Sequence, residues 1–183
     1  MSIKIETPIN DQKVKLLKIG DTVEISGYIY TARDSAHKNL VDLLKNGEDL
    51  PFDIKGSIIY YVGPSPAKPG QVIGAAGPTT SYRMDPYVED LMKVGMKGMI
   101  GKGSRSENVI NCLQKYTGVY FGATGGAAAL ISKKIIEAEV IAFPELGPEA
   151  IRRLKVKDLP VVVINDCYGN DLYVEGKKKW AKE

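Results

Sequence analysis

Apolar residues alternate with polar ones from Thr22 to Tyr30, and this period of two predicts a half-buried β-strand. A helix is predicted to follow, because Asp34 or Ser35 suits its N-cap and Gly47 suits its end. Its apolar side chains fall at helical spacing, at Ala36, Leu40, Leu43 and Leu44. Arg33 therefore lies where a strand ends and a helix begins.

A second junction of the same kind is predicted near residue 80. Residues 57–62 and 71–76 are predicted strands, separated by the rigid proline-rich loop GPSPAKPG. Asp85 followed by Pro86 then suits the first positions of a helix. The segment before this helix, GPTTSYRMDP, carries Thr79, Thr80 and Arg83.

A third junction follows residues 97–100, which are predicted to form a short strand. The serines of the next segment, GKGSRSEN, suit the cap of a helix that ends at Gly118. Lys102 lies in the loop between that strand and that helix. Three cationic residues, far apart in the sequence, thus occupy three predicted strand-to-helix junctions.

The rest of the chain continues with predicted strands at 119–122 and 140–143, a small-residue turn and helix over 123–134, and a short helix over 148–154. Residues 160–174 are predicted to form a strand, a turn and a returning edge strand. Strands that alternate with helices, with hairpin-like strands at the ends, predict an α/β fold with a mixed sheet. We expect one domain over residues 1–183, with 1–14 and 175–183 peripheral.

Composition argues against several classes of protein. No stretch approaches the ~18 consecutive apolar residues of a membrane span, and the N-terminus lacks the apolar block of a secretory signal. We therefore expect a cytoplasmic protein with no membrane partner. A net charge of +3 is too small to indicate nucleic-acid binding. The two cysteines, Cys112 and Cys167, lack the spacing of metal ligands, so no metal site is expected in this chain.

Two glycine-rich segments do not match nucleotide-binding motifs. In GMIGKGSRS (98–106), Gly101 and Lys102 resemble the end of a phosphate loop. The glycine that such a loop requires five residues before Gly101 is Met96 here, and Gly103 follows Lys102 where serine or threonine is required. ATGGAAA lacks the spacing of a dinucleotide fingerprint, and its small residues favour close packing of a helix on a sheet. Nucleotide binding is not favoured.

The three junctions instead favour a site for a small organic anion. Ligands of open α/β sheets bind beyond the carboxyl ends of the strands, where helix N-termini present free amides. If the strands before Arg33, Thr79 and Lys102 are parallel neighbours, these residues meet along one edge with Arg83. Guanidinium groups bind planar carboxylates through paired hydrogen bonds. A dicarboxylate is the ligand that such an edge suits best.

Structural roles for the same residues stay open on the sequence alone. Arginine and lysine at loop ends are commonly solvated, and threonines in turns commonly bond to their own backbone. His37, the only histidine, would lie near the start of the first predicted helix, where a packing role is the more common one. A non-catalytic protein that binds a dicarboxylate through the same cations is therefore an alternative to an enzyme.

Five segments in this order and spacing resemble a known family: TARDSAH (31–37), GPTTSYRMD (77–85), MIGKGSRS (99–106), ATGGAAAL (123–130) and DCYGNDLY (166–173). The chain is similar to the C-terminal domain of class I, iron–sulfur-dependent fumarate hydratases and to beta subunits of tartrate dehydratase. The resemblance covers about Lys15 to Tyr173. It implies a swivelling β/β/α domain that docks on an alpha chain.

The resemblance also implies where the cofactor lies. In this family a [4Fe–4S] cluster is held by three cysteines of the alpha part, with one iron open to substrate. This chain has only two cysteines, so the resemblance implies a separate cluster-bearing alpha subunit, a hetero-oligomer, and a beta subunit that is inactive alone.

The matching motifs imply a reaction and roles for particular residues. The reaction is the reversible hydration of fumarate to malate, with the corresponding tartrate reaction as the alternative. Arg33, Arg83 and Lys102 would bind the substrate carboxylates, and Thr79 would lie near the carbon that loses or gains a proton. His37 and Thr80 would border the site.

Overall fold

The structure, a computed structural model, describes residues 2–123 and 128–180. Within this part of the chain, seven strands form one mixed sheet. The strands are β1 (Ile3–Glu6), β2 (Thr22–Thr31), β3 (Ile58–Tyr60), β4 (Gly98–Gly101), β5 (Val119–Gly122), β6 (Ile135–Ala142) and β7 (Ile151–Asn165). The α-helices are α1 (Asp11–Leu16), α2 (Asp34–Asn46), α3 (Asp85–Lys93), α4 (Glu107–Tyr116), α5 (Ala128–Ser132) and α6 (Leu172–Trp180). Short 3₁₀ helices cover Ser81–Met84 and Pro144–Glu149.

The strand order brings the three predicted junctions together. Strands β1 to β5 are parallel neighbours in chain order, so the carboxyl ends of β2, β3 and β4 share one edge of the sheet. Strand β7 runs antiparallel to β2, β5 and β6. Because β7 pairs with both β2 and β5, the sheet is partly closed on itself. The prediction of an α/β fold with a mixed sheet is confirmed.

Both faces of the central strands are buried, and successive residues alternate between two cores. In β3, Ile58 and Tyr60 belong to one cluster, while Ile59 belongs to a second cluster together with Tyr61 directly after the strand. The second cluster also contains Leu40, Val88 and Leu113, which place α2, α3 and α4 against that face. This burial on both sides explains why these strands are almost wholly apolar.

The N-terminal segment, expected at the periphery, contributes to the core. Strand β1 is at the edge of the sheet, yet Ile5 and Ile9 are buried, and Val14 of α1 is fully buried. At the other end, no residue of α6 is buried, and Trp180 is exposed.

The predicted strand at residues 71–76 is wrong. The segment is irregular and folds back on the proline-rich loop, with Ser65 N–H donating to Ala75 O (3.0 Å) and Ala75 N–H to Ser65 Oγ (2.8 Å). Its short apolar run lies between Gly70 and Gly74, and three prolines precede it. These residues remove ladder donors and permit tight backbone turns, so the apolar run does not extend into a strand.

The prediction of a helix at 148–154 is also wrong. A 3₁₀ helix ends at Glu149, and β7 begins at Ile151. The segment pairs with β2 through Arg153 and Leu154 and with β6 on its other side. Pairing on both edges outweighs the local helical pattern. The strand predicted at 140–143 is the end of the longer β6.

The returning edge strand predicted before residue 174 is replaced by helix α6. Only an isolated bridge joins Asn165 to Asp171. The Asp171 carboxylate accepts hydrogen bonds from the N–H groups of Tyr173 and Val174, which caps the helix. The alternation of apolar residues was outweighed here by a capping aspartate that the sequence already displays. The predicted turn and helix over 123–134 corresponds to α5, with residues 124–127 outside the described part.

Candidate active site

The segment that carries Thr79 lies between the carboxyl ends of β3 and β4. Thr79 N–H donates to Tyr61 O (2.7 Å), directly after β3, and Lys102 N–H donates to Thr79 O (3.3 Å), directly after β4. Ser81 N–H donates in turn to Lys102 O (3.0 Å). The backbone thus holds Thr79 and Lys102 side by side at the shared strand edge. Thr79 reaches this edge without the strand predicted before it.

Arg83 is turned back onto Thr79 by the 3₁₀ helix Ser81–Met84. Its Nη2 donates to the hydroxyl oxygen Oγ1 of Thr79 at 3.1 Å. Its Nε lies 3.3 Å from Oδ1 of Asp34, the first residue of α2. One guanidinium therefore joins the threonine hydroxyl to a carboxylate at the neighbouring junction.

Arg33 lies on the other side of the same carboxylate. Its Nη2 is 3.9 Å from Asp34 Oδ2 and 3.2 Å from Glu149 Oε1. The other Glu149 oxygen accepts the backbone N–H of Ser35 (3.2 Å), so Glu149 also caps the start of α2. A Cβ atom at Gly63 would lie 2.8 Å from Arg33 Nη1, so a side chain there would require the guanidinium to shift.

Lys102 and Thr80 complete the candidate site. Lys102 is exposed, and its side chain forms no ion pair with any residue in the described ranges. Thr80 is half-buried and pairs with Lys102 through a parallel bridge. The structure therefore brings together Arg33, Thr79, Thr80, Arg83 and Lys102 at one edge of the sheet.

His37 lies beneath this edge and is fully buried. Its Nδ1 is 2.9 Å from the carbonyl oxygen of Arg33, which identifies Nδ1 as the protonated nitrogen because a carbonyl only accepts. Burial lowers the pKa of His37 from 6.5 to about 4, against the opposing effect of this hydrogen bond. A neutral, buried imidazole that holds the backbone of Arg33 is a supporting group rather than a proton donor to a ligand.

Sequence reasoning missed the two carboxylates of the site. Asp34 was interpreted only as a helix cap, although it follows Arg33 directly in TARD. Glu149 lies in a segment predicted to be a helix, and no local signal indicated that it would meet Arg33. Together these carboxylates supply counter-ions to both arginines. The site is thus a connected set of opposite charges and not a bare cationic edge.

The site is open to solvent, with Arg33 about one quarter exposed and Arg83 more than one third exposed at the side chain. Two large cavities among the described residues lie elsewhere. One of about 860 Å³ is lined by Gln12, Lys55 and Lys97, near the amino ends of β3 and β4. The other, about 870 Å³, lies between α6 and the loop after Lys102. A small ligand at the candidate site would therefore need a further surface to enclose it.

The described residues contain neither a membrane-spanning helix nor a metal-binding cluster. Among residues 2–123 and 128–180, no helix is long and apolar enough to cross a membrane. In the same ranges, no group of three or more His, Cys, Asp or Glu side chains is placed to hold a metal ion.

The fold and the site define an α/β domain with a candidate anion site at the carboxyl edge of a partly closed sheet. A comparison with protein families identifies the family to which this domain belongs. The chain belongs to the fumarase C-terminus family, whose model matches residues 1–176. The family resemblance inferred from the five sequence segments is confirmed.

Named relatives fall into two groups. The chain is 40% identical over 177 residues to a protein of Methanocaldococcus jannaschii named "Putative L(+)-tartrate dehydratase subunit beta". It is 40% identical over 157 residues to the aerobic class I fumarate hydratase of Escherichia coli K12, and 37% identical over 177 residues to fumarate hydratase 2 of Leishmania major. These matches cover 93%, 85% and 94% of this chain, respectively.

The two groups differ in length. The chain spans only 29% of the Escherichia coli hydratase and 31% of the Leishmania major hydratase, but 91% of the Methanocaldococcus protein. The same domain therefore occurs within long hydratase chains and as most of a subunit named beta.

The buried His37 predicts a pH dependence of stability. Its pKa is about 4 in the folded chain and near 6.5 when exposed, so the unfolded chain binds the proton more readily. Burial of the neutral imidazole therefore contributes to the stability of the fold in full above pH ~6.5. This contribution is lost as the pH falls toward 4, and the loss amounts to up to about 3 kcal/mol. We expect the free energy of unfolding of the native chain to approach that of His37→Gln over this interval.

Urea unfolding of both proteins at several pH values between 7 and 4 measures this difference. Because His37 is the only histidine, no other imidazole contributes to it. A difference between the two proteins that stays constant with pH would contradict the buried, neutral state.

Proposed function

We propose that this chain is the beta subunit of a hydro-lyase that, with a cluster-bearing alpha subunit, reversibly hydrates fumarate to malate. The observation that carries the proposal is the link from Arg83 to the hydroxyl of Thr79, between strand ends that also carry Arg33 and Lys102. Membership of the fumarase C-terminus family and the names of the relatives support the same reaction class. A cytoplasmic location and a swivelling-domain fold are part of the same proposal.

In the proposed reaction, Arg33, Arg83 and Lys102 bind the two carboxylates of the substrate. Removing a proton from the carbon next to a carboxylate increases the negative charge on that group, and fixed cations stabilise the charge as it develops. Arginine is suited to this role because its planar guanidinium pairs with both carboxylate oxygens. Lys102, whose backbone is bonded to that of Thr79, adds a third cation.

Thr79 is proposed to lie next to the carbon that loses or gains the proton. A threonine hydroxyl is a poor base at neutral pH. The guanidinium of Arg83, which donates to Thr79 Oγ1 at 3.1 Å, favours the deprotonated oxygen over the neutral hydroxyl. Thr79 then holds or transfers the proton at Oγ1, while Arg33 and Lys102 orient the substrate. Thr80 and His37 border the site without contacting the reacting carbon.

The residues of this chain do not fit the ligand set of a [4Fe–4S] cluster. Such a cluster with one open iron needs three thiolates, and the chain has two cysteines. Cys112 is buried, and burial raises the thiol pKa of both Cys112 and Cys167, which disfavours the thiolate. We therefore assign the cluster to the alpha subunit. The openness of the site and the greater length of the hydratase relatives support such a partner.

A tartrate dehydratase beta subunit is the second candidate. It is favoured by one observation, since this chain spans 91% of the protein that bears that name. Fumarate and tartrate both present two carboxylates, so the arginines serve either substrate. Relative kcat/KM for the two substrates, measured on the same alpha–beta complex, distinguishes the candidates.

Substitution of Arg83 tests the proposal directly. The chain is co-expressed with its alpha partner without oxygen, and fumarate hydration is followed by absorbance. We expect Arg83→Ala to lower kcat/KM at least ~100-fold, because a charged donor to the transition state is removed. Arg83→Lys should restore part of the loss.

Arg153→Ala is the matched control, because Arg153 is also partly exposed and also forms one ion pair, with Glu139. It should leave kcat/KM and thermal stability near the native values. An Arg83→Ala complex that keeps more than about half of the native kcat/KM would reject the site assignment.

Replacement of Glu149 should improve substrate binding. Its carboxylate is the counter-ion of Arg33 and competes with a substrate carboxylate for the same guanidinium. Glu149→Gln keeps an acceptor for Ser35 N–H and removes the charge, so we expect KM for fumarate to fall about three- to tenfold at low salt. The gain should shrink as ionic strength rises.

Steady-state kinetics at two salt concentrations measure this change. Glu139→Gln, which removes a carboxylate from the ion pair with Arg153, is the control and should leave KM unchanged. An unchanged or higher KM in Glu149→Gln would refute competition at Arg33.

A further inference from the structure

A buried ion pair lies next to the segments that carry Arg83 and Lys102. Arg105 Nε donates to Asp85 Oδ1 at 2.8 Å, and the exposed fractions of the two side chains are 0% and 10%. The second carboxylate oxygen of Asp85 accepts the backbone N–H of Ser106, also at 2.8 Å. The guanidinium carbon of Arg105 lies 5.3 and 4.8 Å from the ring centres of Tyr61 and Tyr120. Both charges are thus held from several sides.

This pair joins the two segments that carry the proposed site residues. Asp85 is two residues beyond Arg83 and begins α3, while Arg105 is three residues beyond Lys102 in the loop before α4. The proposed reaction uses neither residue, although both fall within the motifs GPTTSYRMD and GKGSRS. Backbone hydrogen bonds from Lys102 N–H to Thr79 O and from Ser81 N–H to Lys102 O join the same two segments.

A second buried link spans the same two segments. The hydroxyl of Tyr120 is 2.8 Å from Ser81 Oγ and donates to Gly103 O at 3.0 Å. A Cβ atom at Gly101 would clash with the Ser81 hydroxyl, so the Ser81 side chain packs closely on the backbone of β4. Two independent side-chain links therefore fix one relative placement of the segments.

Stability alone is a weak reason for a buried ion pair. Removing two charges from water is costly, and replacing such a pair by apolar residues of similar size is often neutral or stabilising. What a charged pair adds is a fixed geometry, with Arg105 Nε on Asp85 Oδ1, although Arg105 Nη2 is buried without a hydrogen-bond partner among the described residues. Sliding either segment would leave both buried charges unpaired. The pair thus restricts the spacing between Arg83 and Lys102.

We propose that Asp85 and Arg105 are positioning residues that clamp the Thr79–Arg83 segment to the Lys102 loop, so that the cations and the threonine face one substrate. This role rests on the proposed function. Neither residue contacts the substrate, and both act through the segments that they join. The proposed chemistry of the site therefore depends on two buried residues that lie outside the substrate-binding surface.

The test replaces the pair by apolar residues, Asp85→Leu with Arg105→Met, in the alpha–beta complex. The matched control replaces an exposed pair with the same 2.8 Å separation, Glu139→Leu with Arg153→Met. Two quantities are measured: kcat/KM for fumarate, and hydrogen exchange of the Ser81 and Lys102 amides, whose bonds join the two segments.

We expect the buried-pair variant to exchange these two amides at least about tenfold faster than the native protein. Amides of β2 should not change. We also expect kcat/KM to fall about 10- to 100-fold, mainly through KM, with thermal stability near that of the native complex. The control should change neither quantity.

A second variant covers the case in which the apolar pair prevents folding. Arg105→Lys keeps the charge and one donor, and we expect a smaller change in the same direction for both quantities. Native exchange rates in the variant that folds, or faster exchange with native kcat/KM, would overturn the proposal. A native complex without dicarboxylate activity would instead reject the proposed function, while the exchange rates would still decide whether the pair clamps the segments.

Discussion

The parallel arrangement of β2, β3 and β4 is the constraint on which the candidate site depends. Residues 33 and 102 lie just after β2 and β4, and Thr79 is bonded to residues just after β3 and β4, so the parallel pairing of these strands places all three residues at one edge. Strand β7 maintains this arrangement because it pairs with both β2 and β5 and partly closes the sheet. Burial of both faces of β3 and β4 leaves little freedom for either strand to shift, since a shift by one residue would exchange the two cores.

The charges of the site form a chain and not a cluster of like sign. Asp34 lies between Arg33 and Arg83, and Glu149 holds the far side of Arg33. Such pairing keeps two guanidinium groups close together without the mutual repulsion that they would otherwise have. It also means that a dicarboxylate has to replace counter-ions that the chain itself supplies. The carboxylates are thus part of the selectivity of the proposed site as much as the arginines.

The sequence predicted where the candidate residues meet more completely than it predicted the elements around them, and their role in binding a substrate stays a prediction. Arg33, Thr79, Arg83 and Lys102 could be placed at junctions because capping residues and glycines mark where helices begin and end. The predictions of a strand at 71–76, a helix at 148–154 and a last edge strand were wrong. Prolines decided the first segment, pairing of β7 with both β2 and β6 decided the second, and the cap at Asp171 decided the third. Glu149 could not be predicted, since its contact with Arg33 joins residues more than a hundred positions apart.

A crystal structure of the alpha–beta complex with an unreactive dicarboxylate tests the central claim most directly. The claim is that Arg33, Arg83, Lys102 and Thr79 surround one ligand. It predicts carboxylate oxygens within about 3 Å of both guanidinium groups and of the Lys102 ammonium. It also predicts that Thr79 Oγ1 faces the carbon that loses or gains the proton. A dicarboxylate bound away from this edge, with Arg33 and Arg83 still paired only to Glu149 and Asp34, would contradict it.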